Sequence, residues 1–100
     1  MEIVTLEQLK RQVNVDSHDT AYDAQLTEMA REAEEYVLAQ SGHPAEWYVE
    51  RYGRIPLAVR RAVLLLVGDW FAYREAGRPT SVSRAEETVI NLVYRYTLVR

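Results

Sequence analysis

A chain of 100 residues with two histidines, fifteen carboxylates and no cysteine can do chemistry in only a few ways. His18 and His43 each lack a second histidine three or four positions away, the spacing a helical zinc site needs. Asp16, Asp19 and Asp23 resemble a calcium loop only in part, because the central Gly and terminal Glu of such a loop are missing. Their expected role is turn formation and capping ahead of a helix. The four glycines build no phosphate-cradling loop, and no serine sits in a nucleophile elbow. Without cysteine there is no thiol nucleophile, thiolate metal site or disulfide. Asp69 is the one charge between Ala62 and Tyr73. It reads either as a buried carboxylate poised for acid–base work or as a boundary residue bonded to the Tyr73 hydroxyl or to an arginine of another helix. The second reading is favoured, since no second catalytic group is in view. The residues point to no enzyme, no cofactor and no metal.

Charge is more informative than catalytic inventory. The net charge of −3 is the remainder of two opposed halves. Residues 1–50 carry Lys10, Arg11 and Arg31 against eleven acids, a net of −8. Residues 51–100 carry nine arginines against Asp69, Glu75, Glu86 and Glu87, a net of +5. Such a split suits an acidic surface that meets a basic one, within a chain or between copies. Eleven of the twelve basic residues are Arg, whose weakly hydrated, forked guanidinium suits interfaces; a G+C-rich genome would give the same bias. Trp47, Tyr48 and Tyr52 form an aromatic cluster that is either a docking surface or the lid of the core.

These groups must be positioned by helices. Thr5 and Gln8 make a capping box, with Val4 and Leu9 as the staple beside it, and Leu6, Leu9 and Val13 form an inward stripe. Residues 14–19 read as a polar turn anchored by Val15. Tyr22, Leu26, Met29, Ala33, Tyr36 and Val37 then recur at helical spacing, from a start near Asp19 or Thr20 to the Ser41-Gly42 stop. The opposite face, Asp23, Glu28, Arg31, Glu32, Glu34 and Glu35, is solvated or meets a charged partner. Residues 43–55 read as a loop or short broken helix. Pro56 opens a helix that is apolar all round from Ala62 to Gly68, hence central and buried, and that stops at Gly77-Arg78-Pro79. Glu86 and Glu87 begin a last helix, with Val89, Ile90, Leu92, Val93 and Tyr96 as its apolar positions. The expected fold is all-α: a single domain over 1–100, a small bundle of two long helices (about 19–41 and 56–76) with short N- and C-terminal helices. No run approaches the ~20 apolar residues of a membrane span, and residues 1–4 do not read as a signal peptide.

Three stretches taken together resemble the head–tail connector (adaptor) family of long-tailed bacteriophages. They are Val4-Thr5-Leu6-Glu7-Gln8-Leu9-Lys10 continuing to Val13-Asn14-Val15-Asp16; Asp19 through Tyr22, Leu26, Ala30 and Ala33 to Ser41-Gly42; and Ile55-Pro56, Val59, Ala62–Val67 and Trp70–Glu75. Order, spacing and chain length match over about residues 4–76. Two departures touch the partner surfaces: Leu92-Val93-Tyr94-Arg95-Tyr96 lacks the proline of the family's apolar-Pro-Tyr-Arg signature, and the 43–55 segment is longer and more aromatic.

The resemblance implies a virion protein without catalysis: a ring in the neck, assembled in the host cytoplasm, that lies beneath the portal. It would match the portal's symmetry, extend the DNA channel, receive the stopper or tail protein, and pass duplex DNA without reading its sequence. A ring repeats one contact between two different faces of its subunits. The charge split then places Glu28, Glu32 and Glu35 opposite Arg60, Arg61 and Arg74 of the next copy. Trp47, Tyr48, Tyr52, Tyr94, Arg95, Tyr96 and Arg100 become the portal or neck docking residues, with the Tyr94–Arg100 tail ordering only on the portal. The rival reading is a small helical regulator that grips nucleic acid with Arg60, Arg61 and Arg74, or an antitoxin-like protein in a one-to-one complex. A dedicated DNA reader would be net basic and carry a recognisable reading helix, and neither holds.

Overall fold

The computed structural model describes residues 3–72 and 84–99, and every regular element among them is a helix: α1 (Leu6–Gln12), α2 (Asp23–Ser41), α3 (Ala45–Tyr52), α4 (Leu57–Ala72) and α5 (Arg84–Thr97). The chain starts with the capping box the sequence announces. The Thr5 Oγ1 accepts from the Gln8 backbone N–H at 3.1 Å, and the Gln8 Oε1 accepts from the Thr5 N–H at 2.9 Å. Val4 and Leu9 are both buried in the core, with Leu6 and Val13 packed half-buried beside them.

The turn before α2 is longer than expected, for a visible reason. The Asp16 carboxylate accepts from the His18 N–H and the Asp19 carboxylate from the Ala21 N–H, at 2.8 and 2.9 Å. The backbone closes as turns, Asp19 N–H to the Asp16 carbonyl at 3.0 Å and Asp23 N–H to the Thr20 carbonyl at 3.3 Å, so α2 begins at Asp23 rather than at Asp19 or Thr20. Asp23 does not join the solvated face. Its Oδ1 lies 2.8 Å from the Lys10 Nζ, which is 5% exposed as a residue and also donates to the Ser17 carbonyl at 3.2 Å. Glu34 likewise turns inward, accepting the Ile3 N–H at 2.8 Å. Leu26, Ala30, Ala33 and Val37 form the buried stripe of α2. Gly42 ends it in the left-handed region at φ 80°, its N–H shared between the Leu38 and Ala39 carbonyls.

Pro56 precedes α4, and its carbonyl closes the first turn by accepting from Val59 and Arg60 at 3.1 and 3.2 Å. Val59, Ala62, Val63, Leu66, Val67 and Phe71 are buried, and α4 packs against α1, α2 and α5, which makes it the central helix. Burial of each such aliphatic side chain is worth about 1.5–3 kcal/mol, so this helix supplies the largest block of core. Its apolar girdle is not fully covered, however: Leu64 and Leu65 are only half-buried. The Tyr22 ring meets Phe71 edge-on at 5.3 Å and pins the start of α2 to the end of α4. The expected Gly77-Arg78-Pro79 stop, and Tyr73 as a partner for the half-buried Asp69, lie outside the described residues.

The 43–55 segment takes the short-helix alternative: α3 starts after Pro44 and is stopped by Gly53 at φ 78°. One expectation about the shorter elements changes. The last helix is not short: α5 starts at Arg84, before the two acids of its first turn, and runs 14 residues. Its Tyr94–Thr97 stretch is helical, with Tyr96 buried beside the Tyr48 ring of α3. No helix among the described residues is long and apolar enough to cross a membrane.

Candidate functional site

The aromatic residues flagged on α3 and α5 come together at one end of the bundle. Trp47, Tyr48, Arg51 and Tyr52 fall on one side of α3 because they are spaced by one, four and five residues. His43, in the turn between α2 and α3, stacks on Trp47 with ring centres 3.6 Å apart and planes 8° from parallel. Its Nε2 lies 2.8 Å from the Tyr96 carbonyl oxygen. A carbonyl can only accept, so Nε2 carries the proton and ties this turn to the end of α5. Tyr48 is the centre of the cluster. It meets Trp47 and Tyr96 edge-on at 4.9 and 5.3 Å and lies offset over Tyr52 at 6.5 Å. Tyr52 in turn meets Tyr96 at 6.0 Å.

Tyr48 is fully buried, so it supports this end from beneath and offers no surface of its own. Burial pushes its phenol above the usual value of 10.0, with Ser41 acting in the opposite direction and Tyr96 and Tyr52 adding to the rise. Its hydroxyl makes no hydrogen bond. Ser41, whose hydroxyl donates to the Leu38 carbonyl at 2.9 Å, is the polar side chain that opposes the rise.

Above this floor the exposed groups are cationic. The Arg51 guanidinium sits 5.6 Å from the Trp47 ring centre and 5.9 Å from that of Tyr52, and Arg95 lies 5.2 Å from Tyr96. Such contacts are worth about 0.5–1 kcal/mol each at exposed sites and leave the guanidinium edges free to fork onto carboxylate or phosphate. Arg54 and Arg95 flank a shallow hollow of about 320 Å³ lined by Tyr52, Pro56, Leu57 and Tyr96. Tyr94 stands clear of it, 59% exposed.

The proposed charge-contact residues occupy other faces. Glu28, Glu32 and Glu35 form an exposed stripe on α2, and none makes an ion pair. Arg60 is half-buried and Arg61 exposed on α4, and neither pairs with a carboxylate. Arg74 and Arg100 lie outside the described residues. The ion pairs Lys10–Asp23 and Arg11–Glu7 both stay within the acidic half of the chain. Neither of these pairs joins the acidic half to the basic half. Among the described residues no group of three or more His, Asp or Glu side chains is placed to hold a metal.

Sequence reasoning missed two of the organising groups. His43 was weighed only as a metal ligand, although its spacing of four from Trp47 is a stacking signal. Lys10 carried no signal at all, because its burial depends on Asp23 and Ser17 folding back over it.

Among the described residues the bundle carries its exposed charges and its aromatic cluster on outer faces. The chain belongs to the family of phage gp6-like head-tail connector proteins, whose model matches residues 3–97. No curated protein and no solved structure matches the chain. The family is one of structural proteins rather than enzymes: components of the phage neck, implying contacts with head and tail parts.

Proposed function

We propose that this chain is one subunit of a homo-oligomeric ring beneath the portal. The ring follows the portal's symmetry, prolongs the DNA channel and hands the filled head on to the stopper or tail protein. It acts without catalysis or cofactor, and duplex DNA passes through it without being read. The observation that carries the reading is the connector family's match over residues 3–97. The charge geometry agrees with it. Glu28, Glu32 and Glu35 of one copy face Arg60, Arg61 and Arg74 of the next, which pairs the α2 acids with arginines that the described residues leave without a carboxylate at Arg60 and Arg61. The end formed by Trp47, Tyr52, Tyr94 and Arg95, supported by the buried Tyr48 and Tyr96, docks the portal or the next neck protein through acidic groups on that partner, with Arg100 as a further docking residue.

The test is negative-stain imaging of the protein mixed with its portal, together with a duplex DNA titration. Added density forming a ring on the portal, with only weak and sequence-indifferent DNA binding, is the expected result. Tight, salt-dependent binding of a short duplex in the absence of any ring would replace this reading with a nucleic-acid regulator. A one-to-one complex with a single partner would replace it with an antitoxin-like protein.

A further inference from the structure

The outer side of α5 carries more apolar surface than the bundle uses. Val89, Val93 and Tyr96 face the core and are buried. Ile90, Tyr94 and Leu98 do not: they are 37%, 59% and 70% exposed. Spaced four residues apart, they line up as one continuous ridge along α5 and its last turn. Single exposed apolar residues need no explanation, but three in register make a patch that calls for a cover.

A trough of about 610 Å³ lies between α1, α4 and α5. Leu64, Leu65 and Leu92 line it half-buried, and Leu57, 71% exposed, stands at its mouth. Arg60 and Arg61 form its rim. The Arg60 Nε is buried yet has no hydrogen-bond acceptor, an arrangement that normally costs free energy unless something completes it. Leu92 in the trough and Tyr94 on the ridge are two residues apart on one helix, which is about 200° of rotation. Thr88, also in the trough, and Ile90 stand in the same relation.

Ridge and trough therefore point away from opposite sides of α5. They cannot meet within one molecule. Nor can one pair of copies related by a two-fold axis seat both ridges in both troughs, since each copy would have to face its partner with opposite sides at once. Copies arranged head to tail can do it, with one ridge and one trough used at every junction. We infer that the Ile90–Tyr94–Leu98 ridge of one copy seats in the α1/α4/α5 trough of the next. Charge supports the fit. Glu87 is exposed on the ridge side, one turn ahead of Ile90 and two ahead of Tyr94, and it forms no ion pair. Seating brings that carboxylate to the exposed Arg61 and the half-buried Arg60 at the rim. The inference rests on the ring reading above and adds to it which two surfaces meet and in what direction; it takes Tyr94 from the docking end into the contact between copies and adds Glu87 to the acids that meet Arg60 and Arg61.

The chain has no cysteine, so an introduced pair reports only on itself. Tyr94→Cys on the ridge and Leu57→Cys at the trough, combined in the full chain and oxidised at high concentration, are expected to give a ladder of covalent multimers. Each single variant should stay monomeric. In sedimentation velocity, Tyr94→Asp and Leu57→Asp should each weaken self-association at least tenfold, while circular dichroism shows the helices intact. An equimolar mixture of these two should recover one junction and stop at a heterodimer, since one intact ridge and one intact trough remain. Disulfide dimers from Tyr94→Cys alone would show ridge meeting ridge and overturn the inference. Failure to cross-link while the wild-type chain still self-associates would also overturn it, and would leave the ring reading standing. A wild-type chain that neither cross-links nor forms a ring on the portal would overturn both.

Discussion

Replacing Tyr48 by Phe separates what the ring does from what the hydroxyl does. The ring is enclosed by Trp47, Tyr52 and Tyr96, and the residue has no exposed surface. The hydroxyl is buried and makes no hydrogen bond. Leaving such a group unsatisfied costs about 1–3 kcal/mol, part of which the nearby Ser41 dipole offsets. Phe keeps every ring contact and removes the hydroxyl. The expected outcome is a stability unchanged or raised by up to about 1 kcal/mol, equivalent to a rise of up to roughly 4–8 °C in Tm for a domain of this size. Tyr48→Ala is the control. It deletes the ring as well and should cost about 3–5 kcal/mol, a large share of a small domain's total.

The same pair of proteins carries a pH test. Burial raises the Tyr48 phenol above 10.0 in the folded state. At pH values above 10 the unfolded chain releases this proton while the folded chain retains it. The unfolded state then binds fewer protons, and stability falls as pH rises through that window. The Phe variant has no such proton, so its Tm advantage should widen between about pH 8 and about pH 11. Thermal unfolding followed by circular dichroism at both pH values measures it. A Phe variant less stable than wild type by more than about 1 kcal/mol would mean that the hydroxyl is bonded in the native bundle, and the reasoning would fail. A Tm difference independent of pH would refute the raised phenol.

Further outcomes follow from the same contacts. Lys10→Met keeps the apolar stem but removes the cation from the 2.8 Å pair; with Asp23 about one-third exposed and able to rehydrate, the loss should be about 1–3 kcal/mol in thermal unfolding, between surface and buried pairs. Gly53→Ala meets no atom within 4 Å but must hold φ 78°, so its cost should be the backbone term alone, about 1–2 kcal/mol. Leu66 of α4 is fully buried, so Leu66→Ala opens a cavity and should lose about 2–5 kcal/mol. Reversing Glu28, Glu32 and Glu35 to Lys should leave Tm nearly unchanged, because all three are exposed and unpaired, yet reduce ring yield in native mass spectrometry; an unchanged yield would remove these acids from the contact.

What could be read in the sequence was set by local chemistry. Leu26, Ala33 and Val37 declare α2 by spacing alone, and Pro56 and the Ala62–Val67 run declare α4, because amphipathic period and helix punctuation are properties of neighbouring residues. The start of α2 was misplaced because Asp19 can cap a turn or a helix, and its bond to the Ala21 N–H settles which. α3 was obscured by its shortness and aromatic content, although Pro44 and Gly53 mark its ends. At the docking end, Trp47, Tyr52 and Tyr96 were named from their types. Their meeting was not legible, since the His43 to Tyr96 bond spans 53 residues and Tyr48 vanishes beneath the surface only when α5 covers it. Nor did the apolar pattern of α5 show that Val89 faces the core while Ile90, its neighbour in sequence, stays 37% exposed.

The charge split and the α5 ridge divide one task. Exposed carboxylates and guanidinium groups contribute little to affinity in water, but they steer approach and penalise wrong registers. Apolar surface contributes affinity without direction. An acidic stripe on α2 and an arginine rim beside the α4 trough can therefore choose which faces meet, while Ile90, Tyr94 and Leu98 hold them. This division makes salt a diagnostic. At about 1 M salt, where screening shortens to about 3 Å, selection between faces should fade before adhesion does. Self-association that persists in high salt but loses its ring closure would locate specificity in the charges and binding strength in the ridge. Complete dissociation at that salt would place both in the charges and leave the ridge without a role.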